Sequence, residues 1–188
     1  LSDSSVPVLV ELLLVGDDIV AFLAADTLRR IGVQAVDPVS SKLGAAKPEL
    51  RRRVVELLEV LPESASDEPA ILEKLGGIVE RDDAWIVRAQ AARSLGARAS
   101  RRAQKGFAAA VLSRALADPD PEVQKTALQA LAVLGDSTAV PALIRRLERA
   151  ANEGDLPALR AAQAALRQIT GEPRDLDPED WWKRWSTH

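Results

Sequence analysis

The feature that most constrains this sequence is a helical hairpin pattern that recurs at intervals in the thirties. It is clearest between Asp118 and Leu147, where two apolar stripes with the spacing of a helix face are separated by Gly135-Asp136. The preceding Asp118-Pro119-Asp120-Pro121 supplies capping oxygens and a proline for a first helical turn. Such a helix pair cannot bury both stripes alone, so it requires neighbouring copies.

Copies of this hairpin occur along the rest of the chain. Corresponding apolar anchor residues follow one another at intervals of 30, 37, 36 and 36 residues: Val20, Leu50, Val87, Val123 and Leu159. A period in the thirties with two helices per unit is typical of an α-solenoid, in which each repeat packs on its neighbours. The sequence therefore predicts an all-α protein of about four to five helical hairpin repeats.

Turn signals divide residues 1–188 into units of a single repeat domain. Residues 6–15 are expected to be the second helix of a partial repeat, because Val6-Pro7-Val8-Leu9 mirrors Val140-Pro141-Ala142-Leu143. The following repeats are predicted at 17–46, 47–81, 82–117 and 118–154, with a last repeat helix and a capping helix in 155–188. Within them we expect a second helix over residues 35–43 and a first helix over residues 83–96.

Two adjacent glycines, Gly76-Gly77, interrupt the helix predicted over residues 68–80. Each interior glycine costs about 1 kcal/mol relative to alanine, so a pair requires a reason. We expect close approach of a neighbouring backbone, with a kink or a ligand contact as the alternative.

The motif elements Asp82-Asp83, Val87-Arg88, Ala91-Ala92 and Leu95-Gly96 carry a family resemblance. In their order and spacing the chain resembles the HEAT-repeat family, especially the short bacterial HEAT-like repeats of the PBS-lyase type. The resemblance covers nearly the whole chain and implies a right-handed superhelix whose second helices line the concave face. Family members serve mostly as protein-binding scaffolds and less often bind nucleic acid or modify cofactors, so the resemblance specifies architecture rather than chemistry.

The C-terminal tail departs from the repeat pattern and predicts a capping helix. Asp177-Pro178-Glu179-Asp180 is a helix start, and Trp181 and Trp185 follow on one face of that helix. Bacterial HEAT-like arrays often end in a similar acidic, tryptophan-rich helix, a resemblance that implies a lid over the last repeat. Stacking on a cation or a base is the alternative role of these tryptophans. We expect the isolated Trp85 to pack at an inter-repeat turn.

Composition disfavours several kinds of chemistry. The chain has no cysteine, and its single histidine is the last residue, His188, so thiolate metal sites and histidine-based catalysis lack their residues. We therefore expect no metal, no cofactor and no enzymatic activity. No apolar run approaches the roughly 20 residues that span a bilayer, and we expect a cytoplasmic protein with no membrane partner. Because the chain begins with Leu1 rather than Met, we interpret it as a segment of a longer protein or a processed product.

Aspartates recur at the starts of the predicted repeats. They are Asp17, Asp18, Asp82, Asp83, Asp118 and Asp120. A metal site or an acid/base pair would require them to converge. Their periodic placement instead indicates N-caps and ion-pair partners for the recurring Arg51, Arg88 and Arg160.

Basic residues of the predicted second helices form the candidate binding strip. They are Arg101, Arg102, Lys105, Arg145, Arg146 and Arg149, with Lys42 and Lys74 as further contributors. Such a strip suits an acidic protein partner or a polyanion, and a mixed solvated surface is the alternative. A net charge of −3 makes nucleic acid the less favoured partner.

The first predicted helix is apolar nearly all round, which is typical of a helix covered on several sides. We expect it to dock on repeats that precede Leu1 or on a second copy of the chain; a cap that tolerates exposed apolar residues is the alternative. Taken together, the sequence predicts a non-enzymatic HEAT-like scaffold that binds a protein or peptide on its concave face. The alternatives are nucleic-acid binding of the HEAT-like DNA glycosylase type and bilin-lyase-like handling of a tetrapyrrole.

Overall fold

The computed structural model describes residues 5–15, 17–44, 47–61, 68–101 and 105–186. Within these ranges the backbone forms eleven α-helices and no β-strand. The helices are α1 Ser5–Val15, α2 Asp18–Ile31, α3 Val36–Ser40, α4 Pro48–Val60, α5 Glu68–Arg81, α6 Trp85–Ser100, α7 Lys105–Ala115, α8 Pro121–Leu134, α9 Val140–Glu153, α10 Leu156–Thr170 and α11 Pro178–Trp185. The all-α class predicted from the hydrophobic period is confirmed. None of the described helices combines the length and apolar character needed to cross a bilayer.

Helix ends lie where the capping residues predict them. Asp17 accepts a hydrogen bond from the amide of Val20 at 2.9 Å before α2, and Asp155 accepts one from the amide of Ala158 at 3.0 Å before α10. The helix α8 begins with Pro121 and ends at Gly135, whose φ of 64° places it in the left-handed region that favours glycine. These local signals explain why the boundaries of α2, α8 and α10 follow from the sequence.

The second helix of the 17–46 unit differs from the expected continuous helix over residues 35–43. The chain instead forms a 3-10 turn over Gly32–Ala35, the short helix α3, and a second 3-10 turn over Ser41–Gly44. Pro38 explains the change, because its ring fixes φ and its nitrogen has no hydrogen to donate. A proline is accommodated in the first turn of a short helix but not in the middle of a long one.

The helix α6 does not end near Gly96, as expected, but continues to Ser100. Gly96 therefore lies inside the helix, where its Cα faces α8. A Cβ built at Gly96 would lie 2.7 Å from the Cβ of Ala130, which is closer than carbon atoms pack. The glycine allows the two helices to approach each other, and it does not act as a helix terminator.

The chain divides into two compact units, Leu1–Ser94 and Leu95–His188. In the first unit α1 packs on α2, and both helices contact α4. Its interior consists of aliphatic side chains that are fully buried, including Leu28, Val54, Leu58 and Leu75. The apolar faces of these helices thus cover one another, as the repeat pattern predicts.

In the second unit the helices contact one another in the order expected for successive repeats. The helix α7 packs on α8, α8 packs on α10, and α9 packs on α10. Leu112, Leu131, Leu143 and Leu166 are buried between them. The first helices of consecutive hairpins therefore lie side by side, which is the contact pattern of a solenoid.

The predicted C-terminal capping helix is confirmed. The helix α11 packs on α9, and Trp181 is only 1% exposed. The indole N–H of Trp182 donates a hydrogen bond of 2.6 Å to the carboxylate of Glu148 on α9. Trp85 differs, because 46% of its surface remains exposed at the start of α6.

Candidate binding sites

A bidentate ion pair in the first unit joins the start of α4 to the turn before α6. The Arg51 guanidinium donates to both carboxylate oxygens of Asp82, through Nε and Nη2, each at 2.8 Å, and it also contacts Asp83. The Arg51 side chain is 13% exposed and that of Asp82 is 10% exposed. This two-pronged geometry is the strong form of an arginine–carboxylate pair.

The environment of this pair shifts the pKa of both groups. Burial by itself would raise the pKa of Asp82, but the hydrogen bonds from Arg51 and from the Ala84 amide outweigh it and hold that pKa below 3.8. The hydrogen bond to Asp82 raises the pKa of Arg51. Both groups are therefore charged at neutral pH, and neither is prepared to transfer a proton.

The other recurring aspartates also have structural roles. Arg88 donates to the main-chain oxygens of Asp82 and Asp83, and Asp118 accepts from the amide of Asp120 at 2.9 Å. Asp18 is exposed, and its Oδ1 lies 2.8 Å from Nη2 of Arg53. Among the described residues no three His, Cys, Asp or Glu side chains are grouped closely enough to hold a metal ion. The aspartates cap helices and hold neighbouring hairpins together.

The structure places the six candidate binding residues in different surroundings. Arg101, Arg145 and Arg149 are exposed, Lys105 is partly exposed, Arg146 is buried, and Arg102 lies outside the described residues. The Arg149 Nη1 lies 3.5 Å from the carbonyl oxygen of Leu116, just after α7. Lys105 begins α7, so it lies about 16 Å from that end of the helix. Arg149 and Lys105 are therefore at opposite ends of α7, and their joint role remains a prediction.

Arg146 is buried on α9, whereas Arg145 and Arg149 on the same helix are exposed. Its side chain is only 5% exposed, and its Nη2 atom lies 3.3 Å from Asp155. Its Nε and Nη1 atoms are shielded from water and have no acceptor among the described residues. A buried charged group with unmade hydrogen bonds is unusual in a folded protein.

A cavity of about 320 Å³ adjoins Arg146 in the second unit. It lies among the first turns of α8 and α10 and the middle of α9. Leu128, Ala158 and Ala161 contribute apolar surface to it, and Lys125 and Asp155 contribute charge. In the second unit, a buried cation with unmade hydrogen bonds thus adjoins a cavity of small-molecule size.

Large apolar side chains are exposed on α1 and α2. Val15, Ile19 and Phe22 are 75%, 73% and 71% exposed, and Val8, Leu12 and Leu23 are exposed on the same two helices. A groove of about 360 Å³ lies between α2 and α4, with Phe22 and Val60 among its walls and Ala21 and Ala25 among its small residues. Exposed apolar groups of this size on neighbouring helices are typical of interaction surfaces.

Sequence reasoning anticipated the aspartate pairs and the apolar character of α1, but it did not anticipate the Arg146 cavity. The strip hypothesis treated Arg145, Arg146 and Arg149 alike. One signal was available: Arg146 lies three residues after Leu143 and four before Ala150, on the apolar side of α9. The cavity itself depends on how α8, α9 and α10 meet, which no local pattern specifies.

Successive helical hairpins whose apolar faces cover one another define a protein of the α-solenoid class. No family model matches the sequence, and no curated protein is significantly similar to it. Solved structures do match. One chain of the complex of CpcE and CpcF of phycocyanin lyase from Nostoc sp. PCC7120 superposes with a TM-score of 0.68 at 18% identity, over 86% of this chain and 99% of that one.

Two further similar structures are designed proteins. An engineered protein matches with a TM-score of 0.55 at 25% identity, over 89% of this chain and 80% of that one. A designed armadillo repeat protein matches with a TM-score of 0.53 at 20% identity, over 89% of this chain and 83% of that one. These similarities confirm the α-solenoid fold and support the HEAT-repeat resemblance.

Proposed function

We propose that this chain is a non-enzymatic HEAT-like scaffold that binds a protein partner, and that an amphipathic helix of the partner packs on α1 and α2. The observation that carries the proposal is the exposure of large apolar side chains on both helices, above all Ile19 and Phe22. Burial of such side chains contributes roughly 1.5–3 kcal/mol each when they leave water completely. A helical occupant suits this surface best, because helices cover the apolar stripes of α8, α9 and α10 in the same chain.

The groove between α2 and α4 supports a helical occupant in particular. Ala21 and Ala25 are small, so a partner's side chains can enter between them and Leu57. Helix-in-groove recognition uses apolar anchors of this kind, spaced at helical intervals. The similar structure from Nostoc is a complex of two proteins, CpcE and CpcF, which agrees with a scaffold role.

The basic strip enters the proposal as a second contact surface, for acidic groups of a partner on the concave face. Arg145 and Arg149 are exposed on one face of α9. Charges at the rim of an interface increase the association rate more than the final affinity. Reversing both charges, with Arg145→Glu and Arg149→Glu, should slow association and weaken its dependence on salt; unchanged rates would remove this surface from the proposal.

The apolar surface is tested by site-specific photocrosslinking of the purified full chain. A photoreactive amino acid replaces Phe22 on α2 or, as a matched control, Val133, which is 60% exposed on α8. Each protein is irradiated in an extract of the source organism, and the crosslinked protein is identified, purified and titrated by calorimetry. We expect a stoichiometric adduct from position 22 only.

Substitutions then measure the contribution of the surface to binding. Phe22→Asp should weaken the purified partner about tenfold or more, because an interfacial aromatic anchor contributes on the order of 2 kcal/mol. Val133→Asp should leave the affinity unchanged. Equal crosslinking at both positions, or equal affinities of both variants, would contradict the proposal. An adduct of the chain with itself would assign the surface to a second copy.

Handling of a tetrapyrrole is a second candidate, favoured by the likeness to a chain of a phycocyanin lyase complex. At 18% identity that likeness concerns the fold, and no cysteine is present to attach a bilin. Mixing the purified chain with a free bilin and recording its absorption spectrum tests this candidate. A saturable spectral shift would support it, and an unchanged spectrum would leave the scaffold role.

Nucleic-acid binding, the remaining alternative, predicts a gel shift at low salt that weakens steeply as salt is added.

A further inference from the structure

The cavity beside Arg146 is lined by two helix beginnings. Pro121, Glu122 and Lys125 belong to the first turns of α8, and Pro157 and Ala158 belong to the first turn of α10. The backbone N–H groups of a first helical turn carry a partial positive charge, so anions are favoured there. The apolar side chains of Leu128 and Ala161 lie on the same cavity. The cavity therefore joins two helix N-termini to apolar surface.

Arg146 is the second and independent sign of an anionic ligand. Its guanidinium is 5% exposed and has one partner, Asp155, at 3.3 Å from Nη2. The Nε and Nη1 atoms have no acceptor in the described part of the chain. Unmade hydrogen bonds of a buried cation are costly, and an acceptor that enters the cavity removes that cost. Arg146 itself is one of the residues that line the cavity.

We propose that this cavity binds a small molecule with a single carboxylate on an apolar body, and that Arg146 pairs with the carboxylate. The planar fork of a guanidinium matches the two oxygens of a carboxylate. The volume of about 320 Å³ lies at the small end of ligand sites in proteins. This inference does not depend on the proposed function, whose apolar surface belongs to the other compact unit.

The charges around the cavity select a carboxylate over a phosphate. Glu122 and Asp155 both line it, and Lys125 pairs with Glu122 at 3.2 Å. A phosphate group carries close to two negative charges at neutral pH and would meet both acidic side chains. One carboxylate matches the single unsatisfied guanidinium and leaves the apolar surface for the rest of the ligand.

The ligand class is tested with defined probes on the full chain. The probes are 3-phenylpropionate, its neutral amide 3-phenylpropionamide, and inorganic phosphate. Binding is followed by calorimetry and by amide shifts in ¹⁵N NMR spectra. We expect 3-phenylpropionate to saturate with shifts concentrated on the first turns of α8 and α10 and on Arg146, and to bind about tenfold or more tightly than the other two, since a charge-assisted hydrogen bond accounts for at least that factor.

Three variants assign the binding to Arg146. Arg146→Met keeps the length of the side chain without its charge and should abolish saturation, whereas Arg145→Met on the exposed neighbour should leave the affinity unchanged. Asp155→Asn retains an N-cap residue for α10 but removes the competing charge, so it should tighten 3-phenylpropionate binding severalfold. This gain keeps the test decisive even if the Arg146 variant does not fold.

Several results would overturn the inference. One is equal binding of the acid and the amide, and another is a set of shifts spread over the surface without saturation. Unchanged affinity in both Arg146→Met and Asp155→Asn would exclude Arg146 as the partner of the carboxylate. Preferential saturation by phosphate at the same residues would replace the carboxylate by a phosphate ligand and refute the charge argument.

Discussion

Gly96 sets the distance between α6 and α8 by the absence of a side chain. The nearest atoms to a Cβ at this position would be the Cβ of Ala130 at 2.7 Å and the Cα and carbonyl oxygen of the same residue at 3.1 Å. Backbone atoms cannot rotate away as the end of a flexible side chain can. Gly77 in α5 has no atom within 4 Å of its Cβ position, so the close approach expected for the Gly76-Gly77 pair does not occur at Gly77. For Gly76 it stays a prediction.

These two glycines give a matched pair of substitutions. Gly96→Ala should destabilise the protein by about 1–3 kcal/mol, because the added methyl group forces the helices apart. Gly77→Ala should stabilise it by up to about 1 kcal/mol through higher helix propensity. Urea unfolding followed by circular dichroism measures both changes. Stabilisation by Gly96→Ala would show that the helix contact is looser than described.

The Arg51–Asp82 ion pair is largely buried, and burial raises the free-energy cost of removing either member. Removing one member of a buried pair leaves the other without compensation, and that cost exceeds the value of an exposed pair. Asp18, whose side chain is 96% exposed in its contact with Arg53, provides the comparison.

Asp82→Asn should therefore cost about 1–3 kcal/mol at pH 7, and Asp18→Asn should cost less than about 0.5 kcal/mol. Because the folded-state pKa of Asp82 lies below 3.8, its contribution is complete above that value and is lost as the pH falls through the folded-state pKa. The stability difference between the wild type and Asp82→Asn should accordingly shrink below pH 3.8. Urea midpoints at pH 7 and at low pH test this, and a difference that stays constant would contradict it.

Among the elements, α11 shows how a short helix can close a repeat array. It has only eight residues, so it gains little stability from its own hydrogen bonds. Its position depends on the burial of Trp181 and on the hydrogen bond from Trp182 to Glu148. Tertiary contact with α9 therefore maintains this helix.

Trp181→Ala should destabilise the second unit by about 3–5 kcal/mol, as expected for removal of a fully buried aromatic side chain. Trp85→Ala should cost less than about 1 kcal/mol, because nearly half of that side chain is already in water. Thermal and urea unfolding of both variants give the comparison. Equal losses would mean that Trp181 does not serve as the cap.

At the scale of the whole molecule, the repeat pattern predicts that each hairpin is stabilised mainly by its contacts with adjacent hairpins. In a repeat protein each hairpin exchanges contacts with its neighbours only, so a defect affects nearby elements most. The helix α8 contacts α7, α10 and, at Gly96, α6, whereas α1 contacts α2, α3 and α4. A globular protein with one shared core would lose stability evenly.

Leu131→Ala tests this distribution, because Leu131 is fully buried in α8. The substitution should cost about 2–5 kcal/mol. Hydrogen exchange should accelerate most in α7, α8 and α10 and least in α1 and α2. Uniform acceleration over all described helices would indicate one cooperative core in place of a row of repeats.

Local signals made much of the fold predictable. Helix beginnings at Asp17, Asp120 and Asp155 and the end of α8 at Gly135 depend on groups within a few residues of one another. The prediction was wrong where a local signal had two meanings. Gly96 resembled a helix terminator but lies inside α6, and Pro38 divides a stretch whose apolar pattern favoured a single helix.

The binding sites were less predictable, since they depend on how helices are rotated against their neighbours. Successive residues on a helix differ by about 100° in direction. That single step separates the exposed Arg145 from the buried Arg146, although the sequence presents them as one basic pair.

By itself the sequence determined that this chain folds into repeated helical hairpins, because the period of its apolar residues and its capping residues act over one or two helical turns. Only the tertiary structure decided that Gly96 is a contact point, that Arg146 lacks acceptors beside a cavity, and that Phe22 is exposed. Those outcomes depend on distances between helices that are far apart along the chain. Packing sets these distances, and no local pattern encodes them.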